Sequence, residues 1–444
     1  MSSESPVDHG LLSPVTAGHD DLVSDRAVLV ALVEAEVALV RAYGDVGLAP
    51  QTAVDAASRL DPHAVDAAAL AGAAVVGGNP VIPLVGTLKQ ALPEDARAWL
   101  HRGATSQDIL DTALMIVAAR AVIRVRSSLV QTAEALRRFA ASHRDDVVAA
   151  RTLTQHAVPT TMGLRATTWI RAIDRALGRL DALELPAQLG GAGGTLASFV
   201  EITGSSDAAR DLVAAFARHA GLAAADAPWH VTRWPVTELG DALVQSVDAV
   251  GKLAADVATL GRTEIGELAE GSGGGSSAMP QKQNPVASVL IRSAALRAPG
   301  LGSTLHLAAA LAADERPDGA WHAEWPTLRE LLRLALGASA HAASLADGLR
   351  FDADAAARNL AATGGLVLSE RLSIVLGPVL GPDAVAGIVA EVGSGAVLAD
   401  AVRRALAAGD ADLDVAALLD PAGYTGLAAS LVDEVTTDER EEPA

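Results

Sequence analysis

Apolar residues recur at steps of three and four positions along three long stretches of the chain. One stretch runs from Leu114 to Ala140, a second from Leu239 to Leu260 and a third from Leu328 to Leu349. The first consists of Leu114, Ala118, Val122, Val125, Leu129, Ala133, Leu136 and Ala140. This spacing puts apolar side chains on one face of a helix, and at roughly 1.5 Å per residue it predicts a first helix of about 40 Å.

Long helices with alanine-rich seams pack closely, so the pattern predicts an all-α fold, an elongated bundle of long helices. No run of alternating apolar residues is long enough to predict a sheet. Domain boundaries are placed near residue 110, before the first long helix, and near residue 352, after the third. They predict three helical domains, at 1–110, 111–352 and 353–444. The charged tail from Thr436 onward is predicted to be disordered.

The overall composition narrows the class of protein. Half of the 444 residues are hydrophobic, only 3% are aromatic, and the formal net charge is −20. That charge disfavours a nucleic-acid or anionic-membrane binder, because such partners need a basic face. The chain has no cysteine, which excludes disulfides and thiolate chemistry, and no recognisable spacing of metal ligands, so no metal or other cofactor is predicted.

Two segments bear on the location of the protein. Met1–Gly10 lacks the basic and apolar regions of a signal peptide. The longest uncharged run, Ala67–Leu88, is interrupted by glycines and prolines, which favours a helix followed by a loop over a membrane span. A soluble, cytoplasmic protein is therefore expected.

The segment Gly271–Pro285 is rich in glycine and serine, and by that composition alone a flexible linker is equally well supported. Its second half, Met-Pro-Gln-Lys-Gln-Asn-Pro, is not typical of a linker. A helix is predicted to begin at its end, with Asn284 as the cap, and to kink or end at Pro299-Gly300. A glycine loop with two hydroxyls and one ammonium group, docked at a helix start, is suited to closing over an anion.

Two further segments carry polar residues that chemistry can use. In His101–Thr112, the residues Thr105, Ser106 and Asp108 form a helix-capping cluster, which is also where a carboxylate would dock. In Arg151–Gly163, a lone histidine, His156, is by itself more typical of a structural residue than of a catalytic one.

The loop resembles the signature Gly-Ser-Ser-x-Met-Pro-x-Lys-x-Asn-Pro of the fumarase/aspartase superfamily, whose fixed positions are all present in Gly275–Pro285. The resemblance implies that Ser276 is the catalytic base. It places Ser277 and Met279 in the same binding loop, with Lys282 and Asn284 binding a substrate carboxylate and holding the loop. An alkoxide at neutral pH needs strong stabilisation, which backbone amides and Lys282 can supply.

The other two segments resemble the conserved regions of the same superfamily. For the first, the resemblance implies that Thr105 and Ser106 bind carboxylate and that His101 is a catalytic residue lining the site. For the second, it implies roles for Arg151 and Gln155 in substrate binding and for His156 in catalysis. The family histidine, however, falls at Leu153, which cannot transfer a proton. An amine leaving group is therefore disfavoured, whereas an acidic carboxylate needs no general acid.

Within the superfamily, the pattern is similar to that of bacterial 3-carboxy-cis,cis-muconate cycloisomerases. The segments that carry this similarity, besides those above, are Gly190–Ala197, Arg262–Gly266 and Ala320–Trp325. The resemblance implies cofactor-free lactonisation of a small polycarboxylate in aromatic-acid catabolism, through an enediolate. It also implies a homotetramer that builds each site from three subunits.

Alternatives remain at this stage. Gln281 and Gln283 stand where that branch usually carries His and Arg, which argues for some change of substrate. A sister lyase that releases fumarate from a substituted succinate fits the loop equally well. A non-enzymatic helical protein is disfavoured by the intact Ser276, Lys282 and Asn284. The segment around Trp321 and Glu324 either lines the site or packs at a helix start.

Overall fold

The computed structural model describes residues 10–271, 274, 275, 279, 282–407 and 413–437. In that part of the chain the protein is mainly helical with little strand, and the predicted all-α fold is confirmed. The helices are α1 Asp25–Asp45, α2 Gln51–Ser58, α3 Ala67–Gly77, α4 Val81–Ala91, α5 Glu94–Arg97, α6 Ser106–Ser142, α7 Met162–Asp181, α8 Ala197–Thr203, α9 Ser206–Ala220, α10 Trp234–Leu260, α11 Val286–Ala310, α12 Gly319–Asp347, α13 Ala353–Ala361, α14 Ser369–Leu380, α15 Pro382–Gly393, α16 Leu398–Ala407, α17 Val415–Leu418 and α18 Ala428–Thr436. Short 3₁₀ turns lie at Asp21–Val23, Pro62–Ala64, Leu366–Leu368 and Pro421–Tyr424.

The three predicted long helices are present as α6, α10 and α12, with 37, 27 and 29 residues. Their apolar stripes are buried, as at Leu129 and Leu136 in α6 and Leu243 in α10. Burying one apolar stripe over this length offsets the entropy of ordering the chain, which a helix in isolation does only marginally.

The helix after the glycine loop departs from its prediction in two ways. The amides of Ala287 and Ser288 donate to the buried carboxylate of Glu270, at 3.1 and 2.8 Å, so Glu270 caps α11 in place of the predicted Asn284. The helix also continues through Pro299 to Ala310, so of the predicted kink or end at Pro299-Gly300 the end is wrong. Buried residues on both sides, such as Ala294 and Leu305, anchor the helix and offset the hydrogen bond that proline removes.

A β-hairpin that the sequence pattern did not predict joins α6 to α7. Its strands are β1 Val147–Thr152 and β2 Gln155–Thr161, paired antiparallel with an irregularity between Ala149 and Arg151. This bulge interrupts the two-residue alternation, which explains why the apolar pattern gave no strand signal. Two-residue strands complete the set: β3 Leu268–Ala269 pairs with β6 Arg350–Phe351, and β4 Gly274–Gly275 with β5 Gln283–Asn284.

The chain divides into two compact units. The first comprises Met1–Ser128, Ala176–Asp248 and Ser293–Ala340; the second comprises Leu129–Arg175, Ala249–Arg292 and His341–Ala444. The unit boundaries fall inside α6, α7, α10, α11 and α12. They therefore do not test the predicted domain boundaries near residues 110 and 352, which stay predictions.

Each unit has its own apolar core. In the first unit, Tyr43, Phe199 and Phe216 are fully buried in one cluster, and in the second, Leu372, Leu376 and Val402 form another. Among the described helices, none is by itself both long and apolar enough to cross a membrane; the bent pair Ala353–Ala361 and Leu366–Leu380 meets that criterion only when both are counted together.

Candidate active site

The first group of predicted site residues lies in the turn that precedes α6. His101 and Gly103 both have left-handed backbone conformations, with φ of 59° and 76°. The Tyr43 hydroxyl donates to the carbonyl of Arg102 at 2.8 Å and holds this turn against α1. His101 Nδ1 lies 2.7 Å from Oε1 of Glu36, a fully buried residue of α1 that the sequence analysis did not single out.

Asp108 organises the start of α6. Its buried carboxylate accepts from the amide of Thr105 at 2.9 Å and from those of Gly190 and Gly191 at 2.8 and 3.0 Å. His230 Nε2 lies 2.8 Å from the same carboxylate. The glycine segment that begins at Gly190 is thereby fixed against the helix start that carries Thr105 and Ser106.

A cation lies at this helix start. The guanidinium of Arg316 donates to the hydroxyl of Thr105 and to the carbonyl of Ala192, the latter at 3.3 Å. A positive charge beside the free amides of a helix N-terminus favours an anion. Thr105, Ser106 and Arg316 thus form a geometry that can hold a carboxylate.

Trp321 and Glu324 belong to a buried ion network rather than to an open surface. Arg233 donates to Asp111 at 2.7 Å and to Glu324 at 2.6 Å, and the Trp321 ring nitrogen donates to Asp111 at 2.9 Å. Burial raises the pKa of Glu324, against the opposing effect of Arg233. These contacts support the alternative that this segment packs at the start of α12.

The second group of predicted residues lies on the β1–β2 hairpin. Arg151 and His156 are cross-strand partners, and the turn between the strands consists of Leu153 and Thr154. Both turn residues have positive φ, 47° and 72°. Leu153 is 96% exposed, and Gln155 is also exposed.

Arg151 is held by the protein itself. Its two terminal nitrogens lie 3.0 and 2.6 Å from the oxygens of Glu267, which is fully buried. Arg165 and Asn359 contact the same carboxylate at 3.4 and 2.8 Å. Burial by itself would raise the pKa of Glu267, but the hydrogen bonds and charges of these partners outweigh it and lower the pKa. Sequence reasoning missed Glu267, Arg165 and Asn359.

His156 lies in a different electrostatic environment from His101. Its partial burial and the nearby charge of Arg151 lower the pKa of His156. The imidazole is therefore mainly neutral at pH 7, and it is a weak proton donor to a leaving group.

The glycine loop is described only in part. Ser276, Ser277 and Gln281 lie outside the described residues. Gly274–Gly275 pairs with Gln283–Asn284, which closes the base of the loop. The Lys282 side chain is exposed, and its amide donates to the carbonyl of Met279 at 3.0 Å. In the described part of the chain, no three His, Cys, Asp or Glu side chains group as metal ligands would.

The structure thus collects His101, Thr105 and Ser106 in the first unit, and Arg151, Gln155, His156, Met279, Lys282 and Asn284 in the second. The three residues of the first unit lie around a helix start. The residues of the second lie on a hairpin and on the two ends of a loop. Each group has its own buried carboxylate partner, Glu36 in the first unit and Glu267 in the second.

Comparison with known proteins identifies the family. A family model described as a lyase matches residues 45–300. The chain is 45% identical to nitrosuccinate lyase of Streptomyces davaonensis, over 96% of this chain and 94% of that protein. It is 40% identical to 3-carboxy-cis,cis-muconate cycloisomerase of Pseudomonas aeruginosa, over 94% and 93% of the two chains.

Solved structures agree with this assignment. The 3-carboxy-cis,cis-muconate lactonizing enzyme from Pseudomonas putida superposes with a TM-score of 0.87 at 34% identity, covering 96% of this chain and 98% of that one. The range matched by the family model includes the loop that carries Lys282 and Asn284. The chain therefore belongs to the fumarase/aspartase superfamily of lyases.

Proposed function

We propose that this enzyme eliminates a weakly basic leaving group from a substituted succinate to give fumarate, with 2-nitrosuccinate as the substrate and nitrite as the leaving group. A base takes the proton from C3, the C2–N bond breaks, and nitrite departs with the bonding electrons as the C2=C3 bond forms. The similarity to the nitrosuccinate lyase of Streptomyces davaonensis supports this choice of substrate.

The observation that carries the proposal is Leu153 at the tip of the hairpin. The amine-releasing lyases of the superfamily carry a histidine at this position, by the resemblance of the segment. Leu153 is almost fully exposed and cannot donate a proton. An amine needs protonation to leave, but nitrite, like a carboxylate, is the anion of an acid that is ionised at neutral pH, so it leaves without a proton.

The positive charges near Thr105 in the first unit and at Lys282 in the second suit a substrate with two carboxylates. Arg316 on Thr105 and the α6 N-terminus would bind one carboxylate. By the resemblance of the loop, Lys282 from a neighbouring subunit would bind the other, in a site shared between subunits. Ser276 would act as the base, with Lys282 and loop amides stabilising the enediolate that forms when C3 loses its proton. Neutral glutamines at positions 281 and 283, where the cycloisomerases usually carry His and Arg, suit two substrate carboxylates better than three.

A second candidate is 3-carboxy-cis,cis-muconate cycloisomerase activity. It is favoured by the 40% identity to the Pseudomonas aeruginosa enzyme and by the structural match to the Pseudomonas putida enzyme. Lactone formation and opening involve a carboxylate, so Leu153 is compatible with this reaction as well. The two candidates differ in the number of substrate carboxylates that the site must neutralise.

A substrate panel distinguishes these reactions. The purified protein is incubated with 2-nitrosuccinate, 3-carboxymuconate, adenylosuccinate, argininosuccinate, or fumarate with ammonia, and nitrite, fumarate and lactone are measured. We expect nitrite and fumarate in equal amounts from nitrosuccinate. Lactone formation without nitrite release would establish the second candidate instead, and ammonia or amine turnover would overturn both.

Ser276→Ala tests the base. We expect a loss of roughly a thousandfold or more in kcat with unchanged helicity, because a base and its donors act together. Ser373→Ala, an exposed serine of α14, is the matched control and should keep full activity. More than about a tenth of the wild-type rate in Ser276→Ala would contradict the role of the loop serine.

A further inference from the structure

Helix α1 contains a buried carboxylate, Glu36, among apolar residues. Glu36 is fully buried, and its neighbours Ala35, Val37 and Ala38 are buried apolar residues. Burying a carboxylate is costly unless a partner compensates for lost hydration. In the described part of the chain, His101 is the one side chain that hydrogen-bonds to Glu36, through Nδ1 at 2.7 Å, and the second carboxylate oxygen has no partner.

The histidine is presented from a constrained turn. His101 has φ of 59°, a conformation that is unfavourable for a residue with a side chain, and the turn is held by the Tyr43 hydroxyl on Arg102. Backbone strain of this kind persists where the surrounding structure imposes it, and it concentrates at functional sites. The imidazole remains partly exposed, with 20% of its side-chain surface accessible.

We propose that Glu36 is a positioning residue of this site: its carboxylate holds His101 through Nδ1–H and leaves Nε2–H to donate to a substrate carboxylate. Carboxylate–histidine pairs of this geometry fix both the ring orientation and the nitrogen that carries the exposed proton. The ligand follows from the proposed function, since fumarate and nitrosuccinate are both dicarboxylates. The role of Glu36 toward His101 does not depend on which substrate the enzyme turns over.

The charges around His101 support a cationic imidazole. Burial by itself lowers the pKa of His101, but the hydrogen bond and charge of Glu36 from α1, with Asp108 from α6, outweigh it and raise the pKa. Lys89 from α4 acts in the opposite direction. His101 therefore carries more positive charge at neutral pH than a free histidine, as a carboxylate-binding donor requires.

The direct test is an NMR titration of the imidazole in the full-length protein, with ring-labelled histidine. The His101 signal is identified by its loss in His101→Gln. We expect a wild-type midpoint above that of a free histidine, about 6.5, and a lower midpoint in Glu36→Gln. A wild-type midpoint at or below the free value overturns the proposal, and this measurement needs neither a variant of Glu36 nor a substrate.

A binding measurement gives the second readout. Glu36→Gln keeps a hydrogen-bond acceptor for Nδ1 but removes the charge, so we expect the Kd for fumarate to rise roughly tenfold. Asp45→Asn is the matched control, because Asp45 lies in the same helix and contacts another histidine, His219, at 2.9 Å. An equal effect in both variants, or an unchanged Kd in Glu36→Gln, would show that Glu36 has only a structural role.

Failure of the substrate assignment leaves a different pattern. If nitrosuccinate is not turned over but the His101 midpoint still falls in Glu36→Gln, the positioning role stands and the proposed substrate is wrong. If nitrosuccinate is turned over and the midpoint does not move, the substrate stands and the role of Glu36 is wrong.

Discussion

Two histidines that the motifs assign to one site have opposite electrostatic surroundings. His101 faces the buried carboxylate of Glu36, whereas His156 is paired across the hairpin with Arg151. The pKa of His101 is raised although burial opposes the shift. The pKa of His156 is lowered, and burial is the main cause. At neutral pH the protein thus presents one histidine suited to binding an anion and one that is mainly neutral.

His156→Gln tests whether the neutral histidine transfers a proton. We expect KM to rise more than kcat falls, because His156 would orient or bind a substrate carboxylate rather than protonate a leaving group. The basic limb of the kcat–pH profile should be unchanged. A kcat loss of about a hundredfold or more at constant KM would indicate a general acid and favour an amine-releasing lyase.

The hairpin β1–β2 depends on one buried ion cluster. Glu267 precedes β3 and contacts Arg151 on β1, Arg165 on α7 and Asn359 on α13. A single carboxylate therefore connects the strand that carries Arg151 to two helices. We interpret Glu267 as the residue that fixes the hairpin in the second unit, since Arg151 and Arg165 would otherwise repel each other in a largely buried place.

Glu267→Gln should lower the free energy of unfolding by about 3 kcal/mol at pH 7, because it leaves two largely buried guanidinium groups without a counter-charge. The folded-state pKa of Glu267 is lowered. Its contribution is therefore fully present above the unfolded value of about 4.3 and is lost as the pH falls through the folded value.

Urea unfolding followed by circular dichroism at several pH values measures this difference. Wild type and Glu267→Gln should converge at acidic pH and differ most at neutral pH. Glu264→Gln, an exposed glutamate of the same segment, is the control and should match wild type throughout. A difference that is constant from acidic to neutral pH would argue against an ionised Glu267 in the cluster.

At the scale of the whole molecule, α11 presents an apolar face that the described residues leave exposed. Val289, Leu296 and Leu307 are largely exposed and lie seven and eleven residues apart, near whole numbers of helical turns. A face of this kind on a long helix indicates association with another protein surface. We propose a homotetramer whose shared bundle covers it, with sites built from more than one subunit.

Light scattering and complementation test the assembly together. The protein should scatter as a tetramer, and a mixture of inactive Ser276→Ala and inactive Thr105→Val chains, refolded together, should recover part of the activity. Recovery is expected because some sites would combine an intact loop with an intact carboxylate-binding turn. A monomer at working concentration, or a tetramer with no recovery on mixing, would contradict shared sites.

The features that the sequence determined by itself are local along the chain. Periodicity over whole helices predicted α6, α10 and α12, because a long stripe of apolar residues has one way to be buried. The motifs around Thr105 and Lys282 indicated anion binding, because each is a contiguous polar segment at a helix start. Their resemblance to the conserved regions of the superfamily implied a lyase. The same periodicity did not predict the hairpin, because its bulge interrupts the alternation of apolar and polar residues that marks a strand.

Only the tertiary structure decided which charged groups meet. Glu36 and His101 are 65 residues apart, Arg151 and Glu267 are 116 apart, and Asp108 and His230 are 122 apart. Nothing in the spacing of such pairs signals a contact, because packing between distant elements brings them together. Against the opposing effect of burial, Glu36 raises the pKa of His101, and Arg151 lowers that of Glu267, so the motif could name the residues of the site but not the partners that shift their protonation.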